Sequence, residues 1–215
     1  MRREQLRGKY DVVLSLGGTC LPALKMQDRQ LRRSSGPLDW MISEQLTSVN
    51  RLLQSRFAYF FDRDNLIVSG QLNFQREHYL VDDRYYHVTS VHDFDIGRNS
   101  PANLAQYEEV QAKFTRRCER FLRYLETADR ILFIRAEGHT YSIGKAHTEE
   151  LEQTAELLNQ MVRGSFFILY VRPALVSEIV DINYVHDQIC VLDVPPDPVW
   201  YMEKTWDAIL EGISL

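Results

Sequence analysis

The sequence predicts an α/β protein: an open, mostly parallel sheet with helices on both faces and an inserted β-hairpin. Three observations predict it. Short, almost wholly apolar runs recur at Val12 to Leu16, Ile131 to Ile134, Phe166 to Val171 and Gln188 to Val194, as strands buried on both sides do. Between them lie stretches with apolar residues at helical spacing, and strand–helix alternation favours parallel pairing. From Leu66 to Phe94 the apolar period falls toward two, the mark of half-exposed antiparallel strands. With 215 residues, 45% hydrophobic and no internal repeat or long linker, one domain spanning residues 1–215 is expected.

Taken in order, the strand Val12 to Leu16 ends at Gly17-Gly18-Thr19, and a helix follows with Leu21, Leu24 and Leu31 on one side. Thr19 is placed to cap it, and Pro22 falls where a missing N–H does no harm. Ser34 to Pro37 breaks the pattern before Leu38-Asp39-Trp40-Met41-Ile42, an apolar patch around one carboxylate. Leu46, Val49, Leu52 and Leu53 define the next helix, and Phe57 to Phe61 an aromatic wedge over the core. A hairpin turning at Asp82-Asp83 sets Val81 against Arg84 and His78 against His87, and, if no bulge intervenes, leaves His87 and His92 on opposite faces.

Ser100 and Pro101 start a long helix to about Ala128, with Leu104, Tyr107, Phe114, Cys118, Phe121, Leu122 and Leu125 on its apolar stripe. The loop from Ala136 to Ala146, with Glu137, Gly138, His139 and Gly144, borders a site. A helix over 148–162 is closed by Gly164. A last helix after Pro195 to Pro198 presents Val199, Met202, Trp206, Ile209 and Ile213.

Charge and composition narrow the function. The net charge is −5 and no basic stripe is interleaved with aromatics, so no nucleic-acid partner is expected. No apolar run reaches membrane-spanning length, and the start lacks the apolar core of a signal peptide, so a cytoplasmic protein without membrane insertion is expected. Three cysteines without a short-spaced pair point to neither a disulfide framework nor zinc, and no cofactor is expected.

Cys118 on a helical stripe and Cys190 inside an apolar strand are small core residues. Cys20 differs, because it ends a glycine turn at the carboxyl end of a strand, where open α/β sheets hold ligands. Unpaired N–H groups and the helix dipole there favour a thiolate. Against this stands the plainer reading of a packed helix-start cysteine. A thiol nucleophile needs a base and a group to orient it: His92 is the chosen base, with Asp39 or Asp93 as the carboxylate. Asp93 faces away from His92 on a regular strand, which favours Asp39. The Gly18 to Cys20 N–H groups are placed for an oxyanion, Gly17, Gly18 and Thr19 offer backbone donors for a phosphate, and Arg117 and Arg135 suit an anionic substrate. A metal site at His78 and His87 has no supporting spacing, and the patterns of P-loops, dinucleotide folds and GxSxG hydrolases are absent.

Five blocks in one order, LSLGGTC, LRRSSGPLDW, VHDF, KFTRRCERF and ILFIR, resemble the bacterial family labelled "putative papain-like cysteine peptidase". The likeness runs from Val13 to Arg135. It implies a Cys-His hydrolase, an alternative papain-like α+β fold, and motif positions at Cys20, Asp39, Trp40, His92, Asp93, Arg117 and Arg135. Departures are Gly18 and Thr19, where the family carries serine and asparagine, and Leu38, where it carries phenylalanine. By the same resemblance, members accompany surface-polysaccharide genes, which implies a sugar- or phosphate-directed alternative. Three functions therefore stand: a thiol hydrolase or acyltransferase acting on a small-molecule, peptide or glycan substrate; a transferase using a sugar-phosphate donor; and a non-catalytic binding domain. Oligomeric state is not legible.

Overall fold

The computed structural model of the chain describes residues 1–74, 76–138, 148–195 and 203–215. Its first half runs β1 (Gly8–Lys9), β2 (Val12–Gly18), α1 (Leu21–Asp28), β3 (Met41–Ile42), α2 (Leu46–Gln54), β4 (Leu66–Phe74), β5 (Arg76–Asp83) and β6 (Val88–Asp95). The second half continues with α3 (Tyr107–Thr127), β7 (Arg130–Ala136), α4 (Thr148–Met161), β8 (Ser165–Pro173), β9 (Val180–Ile182), β10 (Ile189–Val194), α5 (Glu203–Ile209) and β11 (Ile213–Ser214).

The continuous apolar runs form a five-stranded sheet in the order β2-β7-β8-β10-β9. Its first four strands are mutually parallel, and the short edge strand β9 is antiparallel to β10. Alternate strand residues feed two cores. Leu14, Leu16, Ile131, Phe133, Ile168 and Val191 pack with α2, α3 and α4 on one face. Val13, Leu132, Ile134, Leu169 and Leu192 pack with α1 and α5 on the other. This double burial is why those runs show no alternation in the sequence.

The Leu66 to Phe94 region is not a hairpin inserted into that sheet. Strands β3, β6, β5 and β4 form a separate four-stranded antiparallel sheet, so only part of the strand content is parallel. The register also differs from expectation: Asp83 pairs with Val88, and Arg84 to His87 form the connection. Asp82-Asp83 lacks the glycine that a two-residue turn wants. Instead, Asp83 is buried, and its Oδ1 accepts from the N–H groups of Tyr85 and Tyr86 at 2.9 and 3.0 Å while Oδ2 accepts from Phe61 at 2.9 Å. His87 closes the turn at φ 57 and has no place opposite His78, whose ladder partner is Asp95.

Helix α3 starts at Tyr107, later than Pro101, because the Gln106 side chain accepts from Asp95 N–H at 3.0 Å and from Asn99 Nδ2 at 2.6 Å, tying the intervening segment into a loop. Its buried stripe is Val110, Phe114, Cys118, Phe121 and Leu125. Ile213 belongs to β11, which pairs with β1, and not to the last helix. The expectations for His139, Gly144, Val199 and Met202 lie outside the described residues.

Candidate active site

The polypeptide leaves β2 for α1 on one face of the parallel sheet and leaves β7 for α4 on the other. Neighbouring strands whose connections diverge in this way open a crevice at their carboxyl ends. Cys20 stands at the β2 side of it, as the N-cap of α1 and half-buried. The turn before it needs glycine: Gly17 and Gly18 have φ 72 and 87, and a Cβ on Gly18 would lie 2.0 Å from the Ala136 carbonyl oxygen. Thr19 is buried and its Oγ1 accepts from Leu21 N–H at 3.3 Å, two residues on.

Several expected roles change in this geometry. Gly17 N–H donates to Ser15 Oγ at 2.9 Å and Gly18 N–H to Ser43 Oγ at 2.8 Å, so neither is left for a substrate oxygen. Burial pushes the Cys20 thiol up, with its own backbone N–H the opposing influence. The shift runs toward the thiol, against the expected thiolate. Burial also raises Cys118 and Cys190, each to about 12.

The strand β3 carries the antiparallel sheet to this crevice. Ser43 N–H donates to the Gly18 carbonyl at 3.0 Å, while Val91 N–H donates to the Trp40 carbonyl at 3.3 Å. His92, the next residue along β6, is exposed, and its ring meets Trp40 edge-on at 5.8 Å and His78 at 5.9 Å between centroids. Desolvation of the ring lowers its pKa from 6.5, the His78 charge adds to the fall, and Asp93 opposes it. The shift favours the neutral imidazole. No hydrogen bond joins it to Cys20 among the described residues.

Among the described residues neither expected carboxylate makes a hydrogen bond or ion pair with His92. Asp39 is buried, and its Oδ2 accepts from Arg32 Nε and from Gly36 N–H, each at 2.8 Å. The β6 ladder shifts register between Ser90 and Phe94, and within that irregularity Asp93 is buried toward α3: it accepts from Ser90 Oγ at 2.6 Å and pairs with Lys113. Arg117 has Asp93 Oδ1 at 4.0 Å, and burial lowers its pKa against the pull of Asp93 and Asp39. Trp40 is half-buried beneath the Arg32 guanidinium, 5.0 Å from its ring centre.

Arg135 is not positioned as a substrate ligand. It is fully buried, donates through Nη1 to the Leu16 carbonyl at 3.1 Å and through Nη2 to those of Ser43 and Glu44 at 2.7 and 3.2 Å, and forms a bidentate pair with Glu137. It is a strut between β2, β7 and the segment after β3. Glu137 was visible in principle: a carboxylate two residues after an arginine, where the chain runs on extended from a strand, shares its face. The His78–His92 and Arg32–Trp40 contacts carried no such signal, because neither pair lies within one regular strand or helix whose period would bring its members together. A groove of about 670 Å³ lined by Arg29, Lys204, Asp207 and Glu211 lies at the far end of α1 from Cys20, and its Arg29 and Asp207 pair with each other.

Residues 11–172 match the model of the family described as "Putative papain-like cysteine peptidase (DUF1796)", and the chain belongs to that family. It is also similar to "Uncharacterized protein R408" of Acanthamoeba polyphaga mimivirus, with 24% identity over 170 residues and 74% of each chain covered. No solved structure matches.

Proposed function

We propose that the chain is a thiol-dependent hydrolase or acyltransferase in which Cys20 is the nucleophile and His92 the general base. The observation that carries this reading is the bridge Trp40 to Ser43. One end bonds the residue before His92 and the other bonds Gly18, two before Cys20. Extended strand between the two anchors spans roughly 10 Å, and this short backbone link between the two segments supports pairing Cys20 with His92. Family membership supports the reaction class.

In the proposed reaction Cys20 Sγ attacks a carbonyl carbon as its proton passes to His92, so a raised thiol and a lowered imidazole form a neutral pair that reacts by general-base catalysis. The Thr19 and Cys20 N–H groups receive the tetrahedral oxyanion. Collapse expels the leaving group with the proton from His92 and leaves a thioester. Water, or another acceptor, attacks that thioester as His92 takes its proton; Cys20 leaves protonated. Trp40 and His78, not a carboxylate, hold the imidazole from either side.

Iodoacetamide tests the pair. Cys20 is expected to label before Cys118 and Cys190, and His92→Gln to slow its labelling at pH 7 by ~10-fold or more, within the range of a lost general base. Labelling of Cys20 no faster than the buried cysteines, or indifferent to His92→Gln, would overturn the assignment.

A further inference from the structure

Lys113, Arg117 and Arg120 recur on one side of α3, facing the segment 32–39 and the buried side of β6. With Arg32 they make four cations around two carboxylates, Asp39 and Asp93. Three of the cations are provided for. Arg32 holds Asp39 and also donates to Gln27 and Ser35; Lys113 holds Asp93; Arg120 Nη2 donates to the Ser35 carbonyl at 2.6 Å.

Arg117, whose guanidinium lies over the Phe114 ring 5.4 Å from its centre, has no such pairing. Its side chain is 11% exposed, its nearest carboxylate oxygen is 4.0 Å away, and its buried Nη1 has no hydrogen-bond partner among the described residues. A guanidinium does not shed its proton, so a buried, unpaired N–H donor on it is costly unless an acceptor arrives. The cluster also carries two positive charges in excess within a chain of net charge −5. A planar fork beside an ammonium and a second guanidinium matches an oxyanion in both shape and charge.

We propose that Arg117, with Lys113 and Arg120, forms a recognition site for the oxyanion head group, phosphate or carboxylate, of a small ligand. The site lies across the 32–40 segment from His92, because Arg32 stacks on the same Trp40 ring that His92 meets. It stands apart from the thiol chemistry: binding is expected to be unchanged in Cys20→Ala, and failure of the labelling experiment would leave it intact.

The test titrates the full chain with sodium phosphate and, separately, sodium acetate, against sodium chloride at matched ionic strength, reading thermal stability and the Arg117 Nε–H resonance. Phosphate or acetate is expected to raise the unfolding temperature beyond chloride and to shift that resonance. Phosphate alone points to a phosphomonoester, acetate alone to a carboxylate, and both support the site. Arg117→Gln is expected to weaken binding at least ~10-fold, the scale of a lost charge-assisted hydrogen bond, whereas Arg116→Gln, at an exposed neighbour, leaves it unchanged. Should Arg117→Gln fail to fold, Arg120→Gln is expected to weaken binding in the same direction. No stabilisation beyond chloride, an unmoved Arg117 resonance, or undiminished binding in folded Arg117→Gln overturns the proposal.

Discussion

At the scale of single residues, His92 is defined by its neighbours. Desolvation is the larger influence on its pKa and the His78 charge the smaller one. Removing His78 as His78→Gln is therefore expected to raise the His92 titration midpoint, read from its ring-proton shift, without bringing it to 6.5. A midpoint that stays put would mean that the two rings do not sense each other. The sign for stability follows from proton binding. Folded His92 holds its proton less tightly than unfolded His92, so its contribution is complete above pH 6.5 and is lost as pH falls from there through the folded midpoint. Cys20 was legible as a strand-end cysteine, but its thiol state was not, because desolvation depends on packing that spacing does not report. The same holds for Asp39 and Asp93, whose partners Arg32 and Lys113 were each visible as charges and not as contacts.

At the scale of elements, the site rests on how β2 ends. A methyl at Gly18 collides with the Ala136 carbonyl in a backbone conformation that only glycine adopts freely. Gly18→Ala is expected to cost on the order of 3 kcal/mol or more in denaturant unfolding. Arg135→Lys keeps the charge but not the fork that serves Glu137 and three carbonyls. Its expected cost is also on the order of 3 kcal/mol, and a loss near zero would refute the strut. The parallel strands were readable because strands buried on both faces leave unbroken apolar runs. The antiparallel register was not, since a side chain, Asp83, sets the turn from within the fold. Two-residue β3 and three-residue β9 are too short to impose any period.

At the scale of the whole molecule, the two larger sheets share one core. Tyr79, Val81, Val88 and Phe94 of the antiparallel sheet pack in the same cluster as Leu14, Phe133 and Ile168 of the parallel one. Asn50 adds a polar tie between α2 and α4, accepting from Thr154 Oγ1 at 2.6 Å and donating to the Glu150 carbonyl at 3.0 Å. We propose on this ground that the chain is one cooperative unit. Calorimetry is expected to give a single transition whose van't Hoff and calorimetric enthalpies agree; two resolved transitions would divide the sheets into separate domains.

The two residues of β3 also act as a register pin. Met41 is fully buried and Ile42 is 37% exposed, and side chains on a strand alternate between faces. Sliding β3 by one residue along β6 would lift Met41 into water and press Ile42 into the core, so intermediate alignments have no stable packing. The spacing between the two proposed reacting groups is consequently held in discrete steps, set by one methionine that touches neither of them in any assigned role.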